Sequence, residues 1–206
     1  VYLGKGNPLN NIALAMGDHE ITAVAYDTYG ACGSDTMTLT IIPSLPTEVW
    51  VDDDYTPSDP GGHTWGVDAF DNIRDGISAV ASPGVVHVAE GYYVETISLK
   101  DGVQVLGAGS AVTVIDGNGS GPVVEARWLT APARIAGFTI TSGSYIWGGG
   151  IHLHNSGAAV TISNCEIKEN SGTYGGGLYC NNSIPEIINC FFWNNAAWDG
   201  AALFFH

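Results

Sequence analysis

Two stretches of this chain repeat one pattern. Residues 174–190 read YGGGLYCNNSIPEIINC, and residues 147–165 read WGGGIHLHNSGAAVTISNC. Each has three glycines, a short apolar run, a polar middle and a closing Asn-Cys pair. The glycine triplets begin at 148 and 175, which are 27 residues apart, and the Asn-Cys pairs begin at 164 and 189, which are 25 apart. A period of this length is typical of proteins built from stacked repeats.

The recurring letters predict columns of stacked side chains. In a parallel β-helix, the inward side chains of one coil lie on those of the next, about 4.8 Å away. The apolar positions then form interior columns, namely Ile151/Leu178/Leu203, Leu153/Cys180/Phe205, Cys165/Cys190 and Ile167/Phe192. Asn170 and Asn195 form another column at a bend, where asparagine tolerates a left-handed backbone and its amide can stack.

The repeat occupies only part of the chain. Residues 1–43 contain two runs that alternate apolar and polar residues, which predicts strands of a partial β-sandwich module. Prolines around residues 44–48 indicate a linker. Residues 49–206 begin with a helical pattern at about 68–81, for which Asp68 is the expected N-cap, and continue as short strands between glycine turns. The sequence therefore predicts an all-β chain with one helix.

Two parts of the chain resemble known families. The larger part resembles right-handed parallel β-helix proteins of the pectin-lyase-like superfold. The resemblance lies in the order of four stretches: the acidic loop VDDDYTPSDPGG, the helical pattern AFDNIRDGISAVASPG, the strand and turn VAEGYY, and the repeat GGGI…NC. This resemblance implies that the helix caps the N-terminal end of the coils. The GGGI/GGGL and IKEN/FWNN pairs are also similar to repeats of polymorphic outer-membrane proteins, which act in adhesion. GDHEITAVAYDTYGACGSDTMTLTI resembles the last strands of PKD-type immunoglobulin-like modules of bacterial surface proteins.

The charge balance narrows the expected partners. Six Lys and Arg stand against 21 Asp and Glu, a formal net charge of -15. This excess of negative charge opposes binding to nucleic acid or to an anionic membrane, since both need basic surfaces. No apolar run reaches the roughly 18 residues of a membrane-spanning helix. Together with the resemblance to surface proteins, these features favour a secreted or cell-surface protein.

Aromatic residues recur on the outside of the predicted coils. Trp147, Tyr174 and Trp198 each come just before a glycine turn in successive coils, and His152, Tyr179 and Phe204 form a neighbouring outward column. Rings stacked in this way could offer a platform for sugar rings or for a partner protein. The alternative is that another loop covers them, or that they stack on one another for stability. His152 and His154 could hold a metal, but solvated surface histidines are the favoured interpretation.

An acidic loop is the favoured candidate for a metal site. The segment VDDDYTPSD places Asp52, Asp53, Asp54 and Asp59 close together in sequence. Calcium takes six to eight oxygen ligands from such clusters. The alternative is a solvated turn in which the carboxylates accept backbone N–H groups. We expect no cofactor other than this calcium.

The fold alone does not determine a function, because the superfold hosts lyases, hydrolases, adhesins and inert spacers. The resemblance implies an Arg or Lys base with carboxylate-bound calcium in a lyase, and clustered Asp in a hydrolase. No two carboxylates share a predicted column of adjacent coils. We therefore predict a non-catalytic extracellular structural or adhesive protein with a polysaccharide or cell-surface partner. The alternative is a polysaccharide lyase or glycoside hydrolase.

Self-assembly is a further expectation. The last coil, AALFFH, would expose strand edges and Phe204 and Phe205, and the N-terminal module lacks sandwich strands. If residues 1–206 are the whole mature chain, a contact between these unlike ends that does not close into a ring would join copies head-to-tail into a filament. The alternative is that the sequence is an excerpt and both ends result from truncation.

Overall fold

A computed structural model describes residues 17–26, 29–30, 32–41, 44–156 and 160–206. The chain divides into two compact units, Val1–Ser44 and Leu45–His206. In the first unit, β1 (Gly17–Tyr26) and β2 (Cys32–Ile41) pair antiparallel along their whole length. Residues 1–16 of the predicted N-terminal module lie outside the described residues.

The second unit is a parallel β-solenoid. It begins with β3 (Glu48–Val51), β4 (Ala69–Phe70) and α1 (Ile73–Ala79). The coils follow in chain order: β5 (Gly84–Val88), β6 (Gly91–Val94) and β7 (Ile97–Ser98); β8 (Val103–Gly107), β9 (Thr113–Asp116) and β10 (Val124–Arg127); β11 (Ala133–Ala136), β12 (Thr139–Thr141), β13 (Ser144–Trp147) and β14 (Ile151–His154); β15 (Val160–Ser163), β16 (Glu166–Lys168), β17 (Ser171–Tyr174) and β18 (Leu178–Asn181); and β19 (Glu186–Ile188), β20 (Phe191–Trp193) and β21 (Leu203–Phe205).

Equivalent strands of successive coils form three sheets. Sheet I has the order β19-β15-β11-β8-β5-β3-β4, sheet II the order β20-β16-β12-β9-β6, and sheet III the order β21-β18-β14-β10-β7. Each coil visits sheets I, II and III in turn. A short two-stranded sheet, β13 with β17, lies between the sheet II and sheet III strands of two neighbouring coils.

The predicted columns are confirmed in register, but Leu203 and Phe205 of the last coil are exposed and do not lie in the interior. In sheet II, Ile140 pairs with Ile167, which pairs with Phe192. In sheet III, the columns Ile151/Leu178/Leu203 and Leu153/Cys180/Phe205 run in the same register. Most of these side chains are fully buried. Burial of apolar surface inside the coil stack is therefore what holds successive coils in register.

The recurring Asn-Cys pairs mark the tight corner between sheets I and II. Asn164 and Asn189 have φ of 53° and 51°, and Gly137 has 82° at the same corner one coil earlier. Asparagine and glycine are the residues that adopt this left-handed backbone most readily. The Asn189 amide donates to Asn164 Oδ1 across 2.7 Å. The corner thus needs a residue that adopts a left-handed backbone, and the two asparagines also bond to each other across successive coils.

The glycine triplets allow backbones to approach closely. The first glycine of each repeat has a positive φ, 78° at Gly148 and 65° at Gly175. A Cβ on the third glycine, Gly150, would lie 2.5 Å from the carbonyl oxygen of Gly177, which is shorter than any ordinary contact. The triplet therefore combines a left-handed turn with a near-contact between successive coils.

The helix is shorter than predicted and starts later. The expected span of 68–81 with Asp68 as N-cap is wrong, because Ala69 pairs with Trp50 in sheet I and Asp68 Oδ1 accepts the backbone N–H of Thr64 across 2.6 Å. Asn72 is the N-cap, and its side chain accepts the N–H of Asp75. Gly76 faces side chains of β3 and β5, which packs the helix on the first strands of the solenoid.

Candidate functional site

The outward column of sheet III is a continuous ladder. Glu125, His152, Tyr179 and Phe204 are register partners in four successive coils. The rings of His152 and Tyr179 lie 5.6 Å apart, and those of Tyr179 and Phe204 lie 5.7 Å apart and are nearly parallel, at 6°. The predicted aromatic column is therefore present in register.

The chain itself covers much of this column. His152 is 3% exposed and Tyr179 is 7% exposed. The ring of Tyr145, in β13, lies 5.6 Å from that of His152, and the ring of Tyr174, in β17, lies 5.3 Å from that of Phe204. The prediction of a solvated His152 is wrong, because the short sheet lies over this part of sheet III. The covered rings form a packed base and not an open platform.

The buried imidazole is held neutral. Burial lowers the pKa of His152, and the nearby Arg127 guanidinium lowers it further, while Glu125 raises it only in part. His152 Nδ1 lies 3.4 Å from Glu125 Oε1 but is not aligned for a hydrogen bond. Glu125 Oε1 instead accepts a 2.6 Å bond from Arg127 Nε. The carboxylate and the guanidinium therefore satisfy each other beside a neutral histidine.

Three aromatic side chains remain exposed beside this base. Trp147 and Tyr174 are register partners, 42% and 36% exposed. Trp198 is 92% exposed, but it is not the third member of their column, because Asp199 is the residue bridged to Tyr174. Trp147 and Tyr174 come directly before their glycine turns, whereas Trp198 comes two residues before Gly200 and so stands one position off their column. We call Trp147, Tyr174 and Trp198 the aromatic patch.

The carboxylates of the acidic loop accept backbone N–H groups. Asp52 Oδ1 accepts from the N–H of Asp54, and Asp53 Oδ2 accepts from that of Tyr92, each across 3.0 Å. The backbone of Asp59 bonds to Thr56. Within the described part of the chain, no three His, Cys, Asp or Glu side chains are grouped as a metal would require. The turn geometry accounts for two of these aspartates, and calcium binding stays a prediction.

The cysteines are free thiols in the described residues. Cys165 is buried and Cys190 lies over it, one coil later. Each thiol donates to a backbone carbonyl, Cys165 Sγ to that of Ser163 across 3.2 Å and Cys190 Sγ to that of Ile188 across 3.4 Å. The proximity of the two sulfurs raises the pKa of Cys165 and lowers the pKa of Cys190. Burial raises the pKa of Cys180 to about 12. The expectation of two thiols that fill the interior is thus confirmed for Cys165, whereas Cys190 is only half-buried.

Sequence reasoning missed the outward face of sheet II. Two columns face outward there, Tyr92/Val114/Thr139/Glu166/Phe191 and Val94/Asp116/Thr141/Lys168/Trp193. Glu166 accepts from Trp193 Nε1 across 2.6 Å and pairs with Lys168 Nζ at 3.2 Å. These columns could have been found by continuing the spacing of the C-terminal repeats towards the N-terminus, into coils whose residues do not repeat the same pattern.

A comparison of the chain with protein-family models, curated proteins and solved structures found no match. Among the described residues, no helix has the length and apolar character needed to cross a membrane.

Proposed function

We propose that this chain is a non-catalytic solenoid module of a secreted or cell-surface protein, and that it contacts a polysaccharide through the aromatic patch. The observation that carries the proposal is the pairing of Trp147 with Tyr174. They are neighbours in adjacent coils, and each keeps more than a third of its surface exposed. Large exposed rings at a regular spacing are a typical surface for sugar recognition.

The base beneath the patch supports this role. Tyr145 lies against both Trp147 and His152, with ring centroids 6.1 Å and 5.6 Å apart. Tyr174 is held in the same way by Phe204. Rings that are fixed before the ligand arrives lose little conformational entropy on binding. His152 and Tyr179 would then act through the rings that they support, and not by touching the ligand.

The family assignment is part of the proposal. We place the solenoid among right-handed parallel β-helix proteins of the pectin-lyase-like superfold, with α1 as its N-terminal cap and β1 and β2 as strands of a PKD-type module. The support is the order of helix, first coil and repeat along the chain. Adhesion is the favoured role, on the similarity of the repeats to those of polymorphic outer-membrane proteins. Head-to-tail assembly stays a separate prediction.

Binding and catalysis are separated by one set of measurements. Affinity electrophoresis of the purified chain in gels that contain plant or bacterial polysaccharides measures binding. Retardation that is lost in Trp147→Ala and Trp198→Ala but kept in Ile184→Ala supports the proposal, since Ile184 is exposed elsewhere. Release of new sugar ends from the same polysaccharides, with or without calcium, measures turnover. If the chain releases new sugar ends, and substitution of one acidic residue abolishes this release, the chain is instead a lyase or hydrolase.

A further inference from the structure

A groove crosses the outward face of sheet II, away from the aromatic patch. It has a volume of about 320 Å³ and spans four successive coils. Its floor is made of short side chains, among them Val114, Thr139 and Thr141, whereas Tyr92 stands at one end and Lys168 at the other. The concavity therefore follows from small residues in the middle coils and large residues in the coils on either side.

One buried hydroxyl in the groove has no partner. Thr141 is 6% exposed, and its Oγ1 makes no hydrogen bond within the described part of the chain. The neighbouring Thr139 Oγ1, by contrast, donates to the carbonyl oxygen of Ser110 across 2.7 Å. A buried hydroxyl without a partner is unfavourable, and such groups often mark a place where a ligand or a bound water completes the site.

Two exposed rings stand at the ends of the same face. Tyr92 lies in the first coil and Trp193 in the fifth, four coil steps away, which is about 19 Å at the usual strand spacing. The Tyr92 hydroxyl donates to the Asp116 carboxylate. Trp193 Nε1 donates to Glu166, and the Lys168 ammonium lies 5.2 Å from the indole ring. Both rings are therefore fixed by side chains of the groove.

The charge of the groove selects against anions. Asp116, Glu166 and Glu169 face one cation, Lys168, in and beside the groove. Partial burial raises the pKa of Glu166, but hydrogen bonds from Trp193, Lys168 and Thr139 outweigh it and lower the pKa overall. Glu166 is then ionised at neutral pH. A polyanion such as a polyuronate would meet repulsion here, whereas an uncharged, hydroxyl-rich chain would find several acceptors.

We propose that the sheet II groove binds an uncharged oligosaccharide. Its outer rings lie on Tyr92 and Trp193, and its hydroxyls bond to Asp116 and Glu166. They reach Thr141 Oγ1, which is closed to solvent in the free chain, when the Thr141 side chain turns towards the groove. The geometry that supports this is the pair of fixed rings, four coils apart, with an unpartnered buried hydroxyl between them. This site is independent of the aromatic patch and does not rest on the proposed function.

Titration calorimetry with defined sugars tests the site. The probes are hexasaccharides of β-linked glucose, xylose and mannose, with a hexagalacturonate as the charged comparison. We expect at least one neutral hexasaccharide to bind and the galacturonate to bind more weakly. Tyr92→Ala and Trp193→Ala should each weaken binding about tenfold. Trp193→Phe, which keeps a ring but loses the bond to Glu166, should fall between Trp193→Ala and the parent chain.

Thr141→Val separates a binding role from a structural one. Valine has the shape of threonine without the hydroxyl, so it should leave the melting temperature unchanged or raise it while it weakens sugar binding. Trp198→Ala, in the aromatic patch, should leave binding of the hexasaccharide to the sheet II groove unchanged. The effect of the same substitution on polysaccharide retardation tests the aromatic patch and not the groove. The proposal is overturned if no neutral hexasaccharide binds, if the galacturonate binds more tightly, or if Thr141→Val binds as the parent chain does.

Discussion

The side-chain amide of Asn170 donates to Oδ1 of Asn195, one coil later, across 3.1 Å. The same Asn170 amide donates to the carbonyl oxygen of Ile140 across 3.0 Å, and its Oδ1 accepts the N–H of Gly143 across 2.8 Å. Asn170 is almost fully buried. One asparagine therefore joins three coils at the corner that leads out of sheet II.

Removing this side chain should destabilise the solenoid strongly. Asn170→Ala removes the acceptor of the buried N–H of Gly143 and the donor to Ile140 and Asn195. We expect the free energy of unfolding to fall by about 3 kcal/mol. Chemical denaturation followed by circular dichroism measures it. Gln104→Ala, an exposed polar residue in a sheet I strand, is the control and should change little. A loss of stability no larger than that of the control would contradict the role of Asn170 in joining the coils.

Close backbone packing predicts that Gly143 cannot carry a side chain. A Cβ there would overlap the carbonyl oxygen of Gly149 and also lie within 2.7 Å of Val123. Because the obstacle is backbone, Gly143→Ala should cost about 3 kcal/mol of stability. Gly33→Ala, where a Cβ would meet nothing within 4 Å, is the matched control. Equal melting temperatures for these two variants would show that the coils are not packed as described.

The Asp101 carboxylate, in a loop, makes the free energy of unfolding depend on pH. Asp101 accepts the backbone N–H groups of Ala131 and Thr130, and these bonds lower its pKa below the ordinary value of 3.8. A lowered pKa in the folded state contributes stability above pH 3.8, and this contribution is lost as the pH falls through the folded-state pKa. Asp101→Asn should therefore melt below the parent chain at pH 7, by a margin that shrinks in acid.

The control for this pH effect is Gln104→Ala, which removes an exposed, uncharged side chain from a sheet I strand. Its melting temperature should differ from that of the parent chain by the same small amount at pH 7 and at pH 3. If the margin for Asp101→Asn is also constant between these pH values, the carboxylate does not have the role assigned to it.

The cysteines should react with iodoacetamide in a fixed order. The neighbouring Cys165 side chain lowers the pKa of Cys190, which favours its thiolate, and Cys190 is only half-buried. Cys165 and Cys180 are buried and have raised pKa values, so they should stay unmodified in the native protein. Mass spectrometry over a time course at pH 7.5 measures each site. Labelling of Cys190 that is no faster than that of Cys165 would contradict this arrangement.

The register of the C-terminal coils could be predicted because the same residue types recur at equivalent positions of successive coils. Gly148 and Gly175, and Asn164 and Asn189, occupy positions that tolerate few other residues, so their spacing alone aligns the coils. The interior partners of Ile167 then follow by counting. Steric demands that few residue types meet leave a clear trace in a single sequence.

The functional surfaces were harder to predict, because each is assembled from several coils. SYIW and SGTY carry no strong strand pattern, yet they pair as β13 and β17 and bury His152. The outward face of sheet II brings together Tyr92 and Thr141, which line the groove, and Trp193, one coil beyond the groove, although these residues lie far apart in sequence and share no repeated letter. The helix start was missed because the short pairing of Ala69 with Trp50 competes with the helical pattern.

Both proposed binding surfaces need successive coils to stack in one register, and contacts around Ile167 test this most directly. In a methyl- and ring-labelled sample, nuclear Overhauser spectra report which side chains lie within a few ångströms. We predict cross-peaks from the Ile167 methyl groups to those of Ile140 and to the ring of Phe192, its partners in the coils before and after. Cross-peaks to neither residue, or an antiparallel pattern of contacts across residues 139–193, would contradict the fold and both surfaces built on it.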